Sequence, residues 1–179
     1  MQKSRMLFVA VVVAVVAASL GAQEQQKAPL SPPGTASVSF ADGKTVTINY
    51  SRPSMRGRKI FGELVPYGQI WRTGANSATS LKTDVDLTIG GATVPAGSYT
   101  LYTIPAETAW KLVINKQTGQ WGTDYDEKQD LARVDMKVAN SPTPTEQFTI
   151  SLDKTGGNVA TLKLAWANTT ASVNVTENK

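Results

Sequence analysis

From Ser37 to Val175 the apolar residues return at every second position, in short runs broken by Gly, Pro, Asn and Asp. That pattern constrains this chain more than any other feature. A helix needs an apolar residue every three to four positions over ten or more residues, whereas a half-buried strand needs strict alternation. Val46, Ile48 and Tyr50 alternate on one face of a segment, and Val85, Leu87 and Ile89 do so on another. The reading gives about ten short strands: Ser37–Phe40, Lys44–Ser51, Thr79–Thr83, Val85–Ile89, Ser98–Ile104, Trp110–Asn115, Leu131–Val138, Glu146–Leu152, Asn158–Ala167 and Ala171–Val175. Asp42-Gly43 is a two-residue hairpin signal, and Gly90-Gly91 and Pro95-Ala96-Gly97 mark further turns. Only Asp126–Arg133 has the character of a helical turn. The fold class that follows is all-β, an antiparallel β-sandwich, with a closed barrel as the alternative. Its core is expected to hold Val46, Ile48, Leu101, Ile114, Phe148, Ile150, Leu162 and Leu164.

The beginning of the chain has a different character. Lys3 and Arg5 precede an unbroken apolar run from Leu7 to Ala18, and Ser19-Leu20-Gly21-Ala22 then supplies small residues before a polar stretch. This is the order of an export signal, with cleavage expected near Ala22. The apolar run is shorter than the roughly 18–20 residues a membrane span requires. Residues 1–22 are therefore expected to be a signal peptide, 23–36 a Pro-rich disordered leader, and 37–179 a single domain. The expected localisation is periplasmic or secreted, with no membrane span left after cleavage.

Composition narrows the chemistry. The sequence has no cysteine and no histidine, so disulfides, Ser-His-Asp or Cys-His nucleophiles, and His-ligated zinc, copper or iron have no residues to build them. No metal or other cofactor is expected. Removing Lys3 and Arg5 from the 18 basic residues leaves a near balance against 14 acidic ones, which does not suit a nucleic-acid partner bound through many phosphates.

The basic character is local. Tyr50–Asn76 reads YSRPSMRGRKIFGELVPYGQIWRTGAN and gathers Arg52, Arg56, Arg58, Lys59 and Arg72 among Tyr50, Phe61, Tyr67 and Trp71, with Glu63 as its only acid. Guanidiniums carry permanent charge and fork-shaped donors suited to carboxylate or phosphate. Arg52, Arg58 and Arg72 are the candidate ligand-binding cations, and Tyr67 and Trp71 the candidate stacking surfaces. Arg56 and Lys59 are expected in solvent. The competing reading is structural: the same arginines pair with Glu63, Asp84 or Asp86, or hold the carbonyls of an irregular loop.

Two other sets of residues carry chemistry only if folding brings them together. Asp84 and Asp86, and the group Asp124, Asp126, Glu127 and Asp130, are the carboxylates from which a hydrolase would be built. Asp84 and Asp86 fall on one side of a strand, where like charge raises one pKa. Tyr99, Tyr102, Trp110, Trp121 and Trp166 would form a sugar platform if exposed and core packing if not.

The motifs YSRP, GRKIFG, LVPYG and IWRTGAN, followed by VPAGSYTLYTIP and DYDEKQDLARV, resemble a family of bacterial exported proteins called domain of unknown function 2911. The likeness runs from about Ser37 to Val175. It implies export from a Gram-negative type of bacterium and one compact domain, and it brings no established ligand or catalytic residue. The expected function is that of a non-enzymatic binding module for a small anionic or carbohydrate-like ligand. A structural or partner-binding envelope protein and a carboxylate-based hydrolase are the alternatives.

Overall fold

Alternation along the chain becomes a single continuous sheet. The computed structural model describes residues 30–178, and its strands are β1 (Pro33–Ser39), β2 (Thr45–Ser51), β3 (Thr79–Thr83), β4 (Leu87–Ile89), β5 (Ala92–Val94), β6 (Gly97–Ile104), β7 (Ala109–Asn115), β8 (Asp130–Gly156) and β9 (Val159–Glu177). All neighbours pair antiparallel, in the order β1-β2-β3-β6-β7-β8-β9-β4-β5. Only a 3₁₀ turn at Glu127–Gln129 interrupts this all-β chain among the described residues, inside the stretch expected to hold a helical turn. The eight expected core residues are all buried, in one cluster with Tyr50, Phe61, Trp71, Trp110 and Trp166.

The sheet doubles back on itself because β8 and β9 are long and bent. Sequence reasoning split each into two strands, at 139–145 and 168–170. In the fold both segments continue as one pair, with register shifts between Asn140 and Thr145 and again between Thr145 and Thr149. Extra residues on one strand of a pair bend it and increase its twist. Pro142 and Pro144 sit on the outside of this bend, and Ala167, opposite Thr145, adopts φ +50°. The first half of β8 pairs with β7. Its second half reaches the chain leaving β2, where Ser54 and Gln147 form an antiparallel bridge. There Phe148 N–H donates to Pro53 C=O and Met55 N–H to Glu146 C=O, each at 2.8 Å. One corner of the doubled sheet is thus stitched shut, and the all-β antiparallel class expected from the sequence holds as one nine-stranded sheet.

Three local expectations change. The first strand starts at Pro33 and not Ser37, because Pro33–Ala36 pair with Ile48–Ser51; residues 23–29 of the expected leader and the expected signal peptide lie outside the described residues. The Asp42-Gly43 hairpin has a longer loop than two residues: Phe40 N–H donates to Lys44 C=O and Gly43 takes φ +84°. The segment between the two glycine-rich turns forms the short strand β5, with Gly90 and Gly91 both at positive φ.

Candidate functional site

The loop from Arg52 to Asn76 is held by burying its apolar residues and pairing its backbone. Ile60, Phe61, Val65 and Trp71 are all buried. A tight turn closes between Ile60 and Val65, with Val65 N–H on Ile60 C=O at 2.9 Å. Trp71 exchanges two main-chain bonds with Thr103 of β6, at 2.8 and 2.9 Å. Its indole then enters a ring cluster: Phe61 at 6.0 Å, Phe148 at 5.1 Å, and Trp166 of β9 stacked at 5.8 Å with the planes 16° apart. This anchorage fixes the neighbours of Trp71 in space.

Backbone strain gathers in the same loop. Among the described residues, three of the four non-glycine residues at positive φ are Arg56 (+52°), Thr73 (+53°) and Asn76 (+61°). A left-handed conformation is especially unfavourable for a β-branched residue such as Thr73. It is held there by hydrogen bonds in full burial: its hydroxyl reaches Trp71 C=O (3.3 Å) and Thr103 Oγ1 (3.1 Å), and Thr79 Oγ1 donates to Thr73 C=O (2.8 Å). Such strain concentrates where a chain must present particular side chains.

What the loop presents is a cleft of about 400 Å³ walled by Arg56, Arg58 and Arg72, with Trp71 and Trp166 in its lining and Leu30, Pro53, Leu64 and Val65 at its sides. No acidic residue lines it among the described residues. Arg58 is fixed by its Nε donating to Met55 C=O (2.9 Å) and its Nη2 to Ser54 C=O (2.7 Å). Arg56 gives its Nη2 to Leu30 C=O (3.3 Å), while its backbone N–H is taken by Glu146 (2.9 Å). Arg72 is half-buried, and its Nε is fully buried with no hydrogen-bond partner among the described residues. Its stem runs so close over Gly122 that an added Cβ there would clash with Arg72 Cδ. Glycine at 122 is what allows the Arg72 side chain its path.

Of the residues singled out in the sequence, Arg58, Arg72 and Trp71 meet in the cleft and Arg52 and Tyr67 do not line it. Arg52 turns instead to β8, where its Nε meets Phe148 C=O (3.4 Å) and its Nη2 meets Thr149 Oγ1 (3.2 Å). That is the bracing role. Tyr67 is 40% exposed and covers Gly62, whose added Cβ would lie 2.9 Å from the ring. Trp71 is buried against Trp166, so it forms a floor and not an open platform. Arg56 is exposed as expected, yet it belongs to the wall. Lys59 pairs with Glu63 at 3.1 Å in solvent. Trp166, read from the sequence as sugar platform or core, is buried and lies in the cleft lining; it arrives from β9, and only long-range pairing brings it here.

The carboxylates do not assemble into a hydrolytic pair. Asp84 and Asp86 are both exposed, and the expected upward shift is absent at Asp84. The hydroxyl of Thr45 donates to its carboxylate at 2.6 Å and holds its pKa below the ordinary value. Asp86 accepts from Ala96 N–H (2.8 Å). Asp126 caps the 3₁₀ turn, and Asp130 is engaged by Tyr125 Oη (2.7 Å), Arg133 (2.8 Å) and Asn115 (2.8 Å). Arg133 also holds Glu127 at 2.7 Å. Burial, with the hydrogen bond to Asp130, pushes Tyr125 up to about 12, and Asp130 foremost raises Arg133. This is a closed structural network. No group of three acidic residues suited to a metal ion occurs among the described residues. The aromatic platform also dissolves: Tyr99, Tyr102, Trp110 and Trp166 are buried, and Trp121 alone of the five is exposed.

The fold and the cleft together define a class: an all-β domain in one antiparallel sheet, with a cation-walled cleft supported by a buried aromatic cluster. Within that class the chain belongs to the family described as protein of unknown function (DUF2911), which it matches over residues 31–175. No curated protein and no solved structure matches it.

Proposed function

We propose that this is a non-enzymatic binding module, exported from the cell, which holds a small anion in the cleft of Arg56, Arg58 and Arg72. The observation that carries the reading is the charge of the lining. Three arginines line one cleft, and no carboxylate is among its lining residues in the described part of the chain. Arginine side chains along a cleft offer charged, planar donors, which a carboxylate or phosphate oxygen takes up in strong charge-assisted hydrogen bonds. The volume suits a small molecule. Anion is favoured over neutral sugar because the two indoles beneath the cleft are nearly fully buried and offer little stacking area.

The test is calorimetric titration of the purified protein with inorganic phosphate, citrate and a neutral disaccharide. Phosphate or citrate should bind, more weakly as salt rises, and the sugar should not. Arg72→Lys keeps the charge but loses the planar fork, and should weaken binding about tenfold with little change in stability. Absence of binding by any anion at low salt would refute the proposal and leave the arginines as loop braces.

A further inference from the structure

Arg72 and Trp71 line a second cleft as well as the first. It measures about 160 Å³ and is completed by Ile70, Tyr102, Gly122, Thr123 and Tyr125. Its character is opposite to that of the arginine cleft. Ile70 is one of the large apolar residues left exposed. The Tyr102 and Tyr125 rings meet edge to face at 4.9 Å and 64°. Both phenols are already engaged, Tyr125 with Asp130 and Arg133, and Tyr102 with Gln120 and Asp124. Their hydroxyls are spoken for, and with Tyr102 fully buried behind it the partly exposed Tyr125 ring gives the wall its accessible aromatic carbon.

We infer that the ligand is an anion bearing a short aromatic arm, its charged head among Arg56, Arg58 and Arg72 and its ring in the Ile70–Tyr102–Tyr125 cleft. The inference rests on the proposed anion site and specifies its ligand. Three observations support it. The two clefts share Trp71 and Arg72, so a molecule lying across Arg72 touches both. The guanidinium of Arg72 is a flat cation suited to lie against an aromatic face on one side and to bind an anion on the other. A space of about 150 Å³ lined by apolar groups holds a benzene-sized ring, and the second cleft has that capacity.

The experiment compares inorganic phosphate, methyl phosphate and phenyl phosphate on the same protein by calorimetry. Phenyl phosphate should bind about tenfold or more tightly than methyl phosphate. Thr123→Trp, at an exposed rim position, fills the second cleft and should erase that preference while leaving methyl phosphate binding unchanged. Ile70→Ser removes the apolar wall without adding bulk and should shrink the preference several-fold. Equal binding of the methyl and phenyl esters to the wild type would overturn this inference while leaving the anion site standing. A phenyl preference that survives both variants would also overturn it. Failure of all three phosphates to bind would remove the anion site and this inference with it.

Discussion

Tyr50→Phe tests how the doubled sheet is held together. The Tyr50 hydroxyl accepts from Ile150 N–H at 2.9 Å and donates to Ile150 C=O at 3.4 Å, a hundred residues away in sequence. Both residues are buried. The substitution removes one oxygen and leaves the ring against Phe148, 5.7 Å away and near perpendicular, so apolar burial is almost unchanged. The bond at 3.4 Å is long and contributes little. The cost is therefore that of a buried N–H left without an acceptor, about 1–3 kcal/mol. For a domain of this size each kcal/mol lowers the melting temperature by about 2–4 °C, so a fall of roughly 4–8 °C is expected for a loss near 2 kcal/mol. Urea unfolding should show a lower midpoint with the same slope. Tyr99→Phe is the comparison, because its hydroxyl donates to Pro95 C=O beside an exposed turn and should cost under about 1 kcal/mol. If Tyr50→Phe is no more destabilising than Tyr99→Phe, the phenol is not the clamp described.

Three further outcomes follow from the geometry. Gly122→Ala should destabilise by about 1–3 kcal/mol and weaken phosphate binding, because its Cβ would lie 2.6 Å from Asn76 C=O as well as against Arg72; unchanged urea unfolding and phosphate titration would contradict the close approach. Tyr125 keeps its proton to about pH 12 in the fold, whereas an ordinary tyrosine loses it near 10, so its contribution to stability is complete below pH 10 and disappears as pH rises toward 12. Burial also raises Tyr99 and Tyr102, so Tyr125→Phe should make the decline of the urea midpoint between pH 10 and 12 shallower without abolishing it. The Asp84 carboxylate, followed by NMR, should titrate below 3.8 in the wild type and move upward in Thr45→Val, since the Thr45 hydroxyl is the leading cause of its depression; an unmoved titration in the variant would contradict that assignment.

Much of the fold was legible because alternation is a local signal. Val46, Ile48, Leu162 and Leu164 each declared a face within a few residues of sequence, and each is buried. The union of Leu131–Val138 with Glu146–Leu152 was not legible. Pro142 and Pro144 lie between those two expected strands, and in the fold both are exposed and leave the strand continuous through its register shifts. The site was partly legible for the same reason. A local concentration of arginine marked the loop, but not which guanidinium turns to a distant strand and which to its own loop. Arg52 turns to Phe148 and Thr149, and Arg58 turns to the carbonyls of Ser54 and Met55. Residues six apart in sequence thus serve different tasks. Trp166 and Gly122 join the site from segments some fifty to a hundred residues away, and single-sequence patterns carry no record of that.

The long bent strands bear on how the cleft comes into being. β8 and β9 are joined by a short turn and can pair early, as neighbours in sequence do. The cleft needs more: its Arg58 is placed by Met55 and Ser54, and these are placed by Glu146–Phe148 only when the first strands have closed onto the second half of β8. Its floor likewise joins Trp71 to Trp166 across about ninety-five residues of chain. The proposed anion site should therefore form with the last closure in folding and not grow gradually. No fragment ending before β8 should retain that site, and under the proposed function phosphate binding would report the fully assembled molecule.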